Sequence, residues 1–209
     1  MTGCGHHVYH RVEAGETLYS VGWRYGEDYR DVAAWNGIAA PYRIREGQIL
    51  RLVPPENVAP RSPAQQTPRV PRTIHSHDRA ARSTTSRSWL WPADGTVNLL
   101  RYQATGAPRG LEIFGNSGQA VRAAAAGRVV YTGNSLKGYG NLVIVKHDDE
   151  FLSAYAHNKD IVVSEGEEVT AGQKVAEMGR NNNNRTALYF EIRRNGKSED
   201  PLRYLPIRR

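Results

Sequence analysis

Short runs of alternating apolar and polar residues occur toward both ends of this chain, and the stretch between them, 54–88, has few large apolar side chains. Val8 to Val12 alternates with a period of two and predicts a strand. Gly15 breaks it. Thr17 stands where a helix N-cap belongs, with Leu18, Val21 and Trp23 as apolar positions behind it. Tyr29 to Trp35 predicts a second helix, stopped by Asn36-Gly37, and Gln48 to Leu52 predicts a closing strand. From Trp89 onward, glycines punctuate Val-, Ile- and Tyr-rich runs at Gly127–Tyr131, Asn141–Val145 and Phe151–Tyr155. Strands spaced by roughly 8–12 residues indicate an all-β sandwich or barrel, and residues 89–209 suffice to bury a core. The expected fold class is thus two modules: a small α+β unit of order βααβ at 8–53, a disordered Pro/Arg-rich linker at 54–88, and a mainly antiparallel β domain at 89–209, with 1–7 as a short lead.

Composition narrows the function classes. The single cysteine, Cys4, excludes a disulfide framework and a multi-cysteine zinc or iron–sulfur site. No run approaches the ~18–20 apolar residues of a bilayer-spanning helix. The net charge of +7 is concentrated in the middle of the chain, where six arginines face two acids, whereas residues 1–53 balance. Six of the 11 prolines lie there too: Pro54, Pro55, Pro60, Pro63, Pro68 and Pro71. Such a stretch cannot bury enough surface to offset its ordering entropy and is expected to be extended and mobile. Its arginines are either solvated or weakly attracted to an anionic polymer or membrane surface. No aromatics interleave with the basic run, so nucleic acid is not an expected partner.

The first module carries a resemblance. Tyr9, Val12, Gly15-Glu16-Thr17-Leu18, Trp35-Asn36 and Ile44-Arg45-Glu46-Gly47-Gln48 resemble a LysM domain across nearly all of 8–53. The resemblance implies a βααβ fold that binds N-acetylglucosamine-containing glycan strands. The glycan contacts are then expected from Gly15, Glu16, Thr17 and Leu18 on one side, and from Ile38, Ala39, Pro41 and Tyr42 on the other. The residues also have a plainer reading, in which the glycines and Thr17 simply turn and cap the fold.

The second module resembles the LytM domain of lysostaphin-type zinc endopeptidases, from about Trp89 to Pro206. The resemblance rests on Gly138 to His147, Ala154-Tyr155-Ala156-His157, Gly166 to Gly179, Leu188 to Arg193 and Asp200-Pro201. Active members need a His and an Asp four residues apart, a His-x-His pair on a later strand and a Tyr-x-His histidine. A catalytic zinc takes about three protein ligands and leaves a position for water. This sequence has Pro108-Arg109-Gly110-Leu111-Glu112 where the first pair belongs, and Ala187-Leu188-Tyr189 where the second belongs. Only His157 matches a catalytic position. The expectation is therefore no catalytic residue, no metal and no cofactor. A binding groove would instead be built at Pro108, Arg109, Glu112, Tyr155, His157, Ala187 and Tyr189. His147 is expected to play a structural hydrogen-bonding role, and Asn181 to Asn184 to form a mobile loop beside the groove.

A LysM unit, a Pro-rich linker and a metal-less LytM unit ending in Asp200-Pro201-Leu202-Arg203-Tyr204-Leu205-Pro206 together resemble the NlpD family. That resemblance implies a non-catalytic outer-membrane lipoprotein that activates a periplasmic N-acetylmuramoyl-L-alanine amidase at the division septum. Met1-Thr2-Gly3-Cys4 resembles the end of a lipoprotein signal, which would make Cys4 the lipidation site. Two alternatives stay open: a peptidoglycan zinc endopeptidase and a purely structural wall-binding protein. Glu165 to Met178 also resembles half of a biotinyl or lipoyl carrier barrel, but the turn Ala176-Glu177-Met178-Gly179-Arg180 lacks the lysine a carrier needs.

Overall fold

A computed structural model of the chain describes residues 8–55, 88–101 and 108–208. The expectations for Cys4 and for most of the linker lie outside the described residues. The first module has the expected order. Strand β1 (Tyr9–Arg11) is followed by α1 (Leu18–Tyr25), α2 (Tyr29–Trp35) and β2 (Ile49–Arg51), which pairs antiparallel with β1. Thr17 caps α1 in a reciprocal box: its Oγ1 accepts from the Ser20 amide at 3.2 Å, and its own amide donates to Ser20 Oγ at 3.0 Å. Gly26 ends α1 in the left-handed region at φ 70°. Leu18, Val21 and Trp23 bury their side chains, as their spacing on α1 requires.

The second module begins with β3 (Thr96–Arg101) and β4 (Pro108–Phe114), then β5 (Ala120–Arg122), β6 (Gly127–Gly133), β7 (Asn141–Lys146) and β8 (Phe151–Ile161). It continues with β9 (Glu168–Val169), β10 (Lys174–Met178), β11 (Ala187–Arg194), β12 (Lys197–Glu199) and a 3-10 turn at Pro201–Arg203. The main sheet runs β3-β4-β11-β8-β7-β6-β9, all antiparallel; β12 pairs with β11, and β10 pairs with β8 and β5. Strand β8 extends well past the predicted Phe151–Tyr155 run.

Alternation along the strands gives the sheet two buried faces. Leu111, Ile113, Val143, Val145, Leu188, Phe190 and Ile192 fill the core on one face, closed by Val121, Val175 and Trp89. On the opposite face, Ile144, Leu152, Ala154, Ala156 and Tyr189 form one cluster with the LysM-like core of Leu18, Val21, Trp23, Val32 and Leu50. The first module therefore covers part of the sheet's second face. Polar bonds fix the contact: Thr17 Oγ1 donates to the Val130 carbonyl at 3.1 Å, Arg24 Nη2 to that of Ser135 at 3.1 Å, and Lys197 Nζ to that of Gly26 at 2.9 Å. Among the described residues no helix is long and apolar enough to cross a membrane.

Candidate functional site

Strands β4, β8 and β11 place the groove. Glu112 and Tyr189 are cross-strand partners, and Tyr189 is also paired with Ala156, so their side chains emerge on the face that the first module partly covers. Gly110 leaves room for the Tyr189 ring, because a Cβ there would stand 3.2 Å from it. The groove of about 240 Å³ is lined by Leu100, Arg109, Glu112, Tyr139, His157 and Tyr189, with Gly138 and Asn181–Asn183 at its rim. Asn181 Nδ2 donates to Glu112 Oε1 at 2.5 Å, while its Oδ1 accepts from the Asn183 and Arg185 amides. Tyr139 packs edge-on against Tyr189 at 5.7 Å between centroids, and the Arg109 guanidinium lies 5.7 Å from the Tyr189 centroid.

A buried polar chain runs from this groove to the first module. Tyr189 Oη donates to Glu191 Oε2 at 2.7 Å, and Arg193 Nε donates to Glu191 Oε1 at 2.7 Å. Arg193 Nη1 then donates to the Trp23 carbonyl at 2.7 Å, with its guanidinium 3.8 Å from the Trp23 ring centroid. Glu191 has no exposed surface and Arg193 only 5%. Burial, with the Glu191 carboxylate beside it, holds the Tyr189 phenol well above the usual range, so it is a neutral donor. Burial lowers the His157 imidazole below 6.5, against an opposing pull from Glu112. Among the described residues no group of three or more His, Cys, Asp or Glu converges on a common point.

Two family models match the chain: the LysM domain over residues 10–53 and Peptidase family M23 over residues 106–201. The lipoprotein NlpD/LppB homolog of Pseudomonas aeruginosa is 41% identical over 94% of this chain and 76% of its own length. The murein hydrolase activator NlpD of Salmonella dublin is 36% identical over 94% of this chain and 68% of its own length. The chain belongs to the NlpD family. Among solved structures, lysostaphin from Staphylococcus simulans superposes with a TM-score of 0.49 at 25% identity, over 58% of this chain and 53% of its own.

Within this NlpD-family chain the groove residues expected from the sequence divide. Arg109, Glu112, His157 and Tyr189 come together as expected. Ala187 is fully buried and does not line the groove. Pro108 opens β4, and its side chain lies outside the described residues. Tyr155 is a correction: it faces the opposite core, 5.4 Å from Phe190 by centroids, and its oxygen accepts from the Ala124 amide and Ser153 Oγ. Two-residue alternation would put Tyr155 beside His157, but His157 has φ 64°, which breaks the alternation between them. His147 holds the Ala126 carbonyl and Ser153 Oγ, both at 2.8 Å, in the structural role expected of it. Asn181–Asn183 stand beside the groove, where their loop was expected; Tyr139 was not legible as a groove residue, its only signal being its place in the Gly138–Gly140 turn.

The expected glycan contacts divide likewise. Glu16, Thr17, Pro41 and Tyr42 line a cleft of about 760 Å³ between the two modules. Leu18 is fully buried in the LysM-like core, Ile38 packs against that core, and Gly15 and Ala39 are exposed outside the cleft. The Glu16 carboxylate is bonded by His10 Nε2 at 2.6 Å and by the Glu13 amide, and paired with Arg24 at 2.7 Å. Its carboxylate thus serves the fold, while the residue itself still lines the cleft.

Proposed function

We propose that this chain is a non-catalytic activator of a peptidoglycan amidase, an N-acetylmuramoyl-L-alanine amidase. In this reading the LysM module holds glycan strands and the groove around Tyr189 engages the amidase. One observation carries it: the positions at which a LytM peptidase would hold zinc are spent on other contacts. Glu112 is occupied by Asn181, Tyr189 is a neutral phenol bonded to Glu191, and Ala187 has no donor. One engaged carboxylate and one burial-depressed imidazole do not fit a zinc ion, which takes about three protein ligands. No hydrolytic step is therefore derived for this chain.

The groove instead offers partner contacts. Arg109, Tyr139 and Tyr189 are of the types enriched at binding hot spots, and they lie together above a rigid, bonded floor. Activation requires that they bind the open amidase more tightly than the closed one. Relatives are named lipoproteins, one of them an outer membrane antigenic lipoprotein. That supports attachment through Cys4 at the periplasmic face of the outer membrane, and with it action at the septum.

The test is direct titration of this chain into the amidase. The wild type binds. Arg109→Glu, which reverses a hot-spot charge, weakens binding by about 2 kcal/mol or more. Unchanged affinity would move the amidase contact away from this groove.

A further inference from the structure

We infer that the cleft between the two modules is a composite site for glycan strands that carry carboxylates, with the LytM sheet supplying its second wall. This rests on the reading of the LysM module as glycan-binding. The first wall is Thr17, Tyr19, Pro41, Tyr42 and Arg43; the second includes Arg128, Lys146 and Glu168. Arg128 is in register with Glu168 on β9 and with Lys146 on β7, so the three side chains stand in a row on the face below the LysM module. The row acts on the opposite wall: Lys146 and Arg128 pull down the Tyr19 phenol, which burial nonetheless pushes up to about 12. The bond from Thr17 Oγ1 to the Val130 carbonyl holds the two walls together at one end. A volume of about 760 Å³ is within the range of ligand clefts.

Charge decides what the cleft takes. Its acids are mostly engaged. Glu16 is held by His10 and Arg24, Asp148 Oδ1 accepts from the Glu150 and Phe151 amides, and Glu165 Oε1 accepts from the Thr132 amide. Lys146 pairs with Asp149, whose side chain is 80% exposed, so that pair is screened by solvent. Arg43 and Arg128 are exposed on opposite walls and have no ion-pair partner among the described residues. Asp148, Glu165 and Glu168 keep their negative charge, so the anion-binding feature is local to Arg43 and Arg128 and is not a net charge of the cleft. A neutral acetamido-sugar chain needs aromatic faces and backbone amides, which the LysM wall has, and makes no use of a guanidinium group on each wall. A strand whose muramoyl residues carry lactyl or peptide carboxylates does use them, because guanidinium and carboxylate form short, paired bonds.

The experiment titrates the full chain by calorimetry with two probes. One is the neutral tetramer of N-acetylglucosamine; the other is soluble muramoyl glycan strands released from sacculi. The expected result is that Arg128→Glu weakens the muramoyl strands about tenfold while the neutral oligomer changes by less than about twofold. Arg128→Lys should keep part of the affinity, and high salt should erode the wild type's preference for muramoyl strands. If Arg128→Glu leaves the muramoyl affinity intact, or lowers both probes equally, the composite wall is wrong although the LysM reading survives. If the wild type binds neither probe, the LysM reading itself falls and takes the composite wall with it.

Discussion

Glu191 is the residue on which groove and module contact both depend, since Tyr189, Arg193 and Ser198 all bond to its carboxylate. Removing one member of a buried ion pair leaves the other unpaired and costs about 3–5 kcal/mol. Arg193→Met is therefore expected to lower the urea midpoint steeply, and pairing it with Glu191→Leu to recover much of the loss. Equal losses in the single and double variants would show that the pair is not the cause. His157 gives a second prediction. Its folded pKa is depressed, so the stability it confers is present above 6.5 and is lost as pH falls below that value through the folded pKa. Wild type should thus lose stability on acidification more steeply than His157→Asn, a substitution that tolerates the left-handed backbone. Parallel curves would remove His157 from the acid response. At this scale the sequence was legible where chemistry is local. Departure from a metal-binding motif picked out Arg109, Glu112 and Tyr189, and agreement with it picked out His157. It misplaced Tyr155, because a single positive φ two residues away has no signature in residue type.

The hairpin turn between β11 and β12 is the element that seats the first module. Asn195 Oδ1 accepts from Arg30 Nη2 at 2.7 Å, and Lys197 reaches the Gly26 carbonyl. Gly196 lies between them at φ 74°, where a Cβ would stand 2.5 Å from the Asp28 amide nitrogen. Gly196→Ala is therefore strained twice, by its backbone and by the start of α2. It should cost about 1–3 kcal/mol and loosen the module contact, so that calorimetry resolves two transitions where wild type gives one. A single transition at an unchanged temperature would mean the turn is not the seat. The βααβ order, the caps at Thr17 and Asn36-Gly37, and the strands β6 and β7 were all readable from period and punctuation. Which face of the sheet the first module covers was not. That depends on Arg193 meeting Trp23 across 170 residues of sequence, and no local pattern encodes such a pairing.

At the scale of the whole molecule, the groove and the intermodule cleft open on the same sheet face, since Tyr189 of the groove belongs to the cluster that packs against the first module. A strand held in the cleft would lie on the same side of the sheet as the groove proposed to engage the amidase. On the proposed function, this chain switches on another protein's hydrolysis and performs none itself. Dye release from labelled sacculi tests it most directly, with this chain alone, the amidase alone and the two together, alongside a zinc assay of the purified chain. The expected result is no zinc, no release by the chain alone, and release by the mixture well above that of the amidase alone. Release by the chain alone, with about one zinc bound per chain as a catalytic site would require, would contradict it.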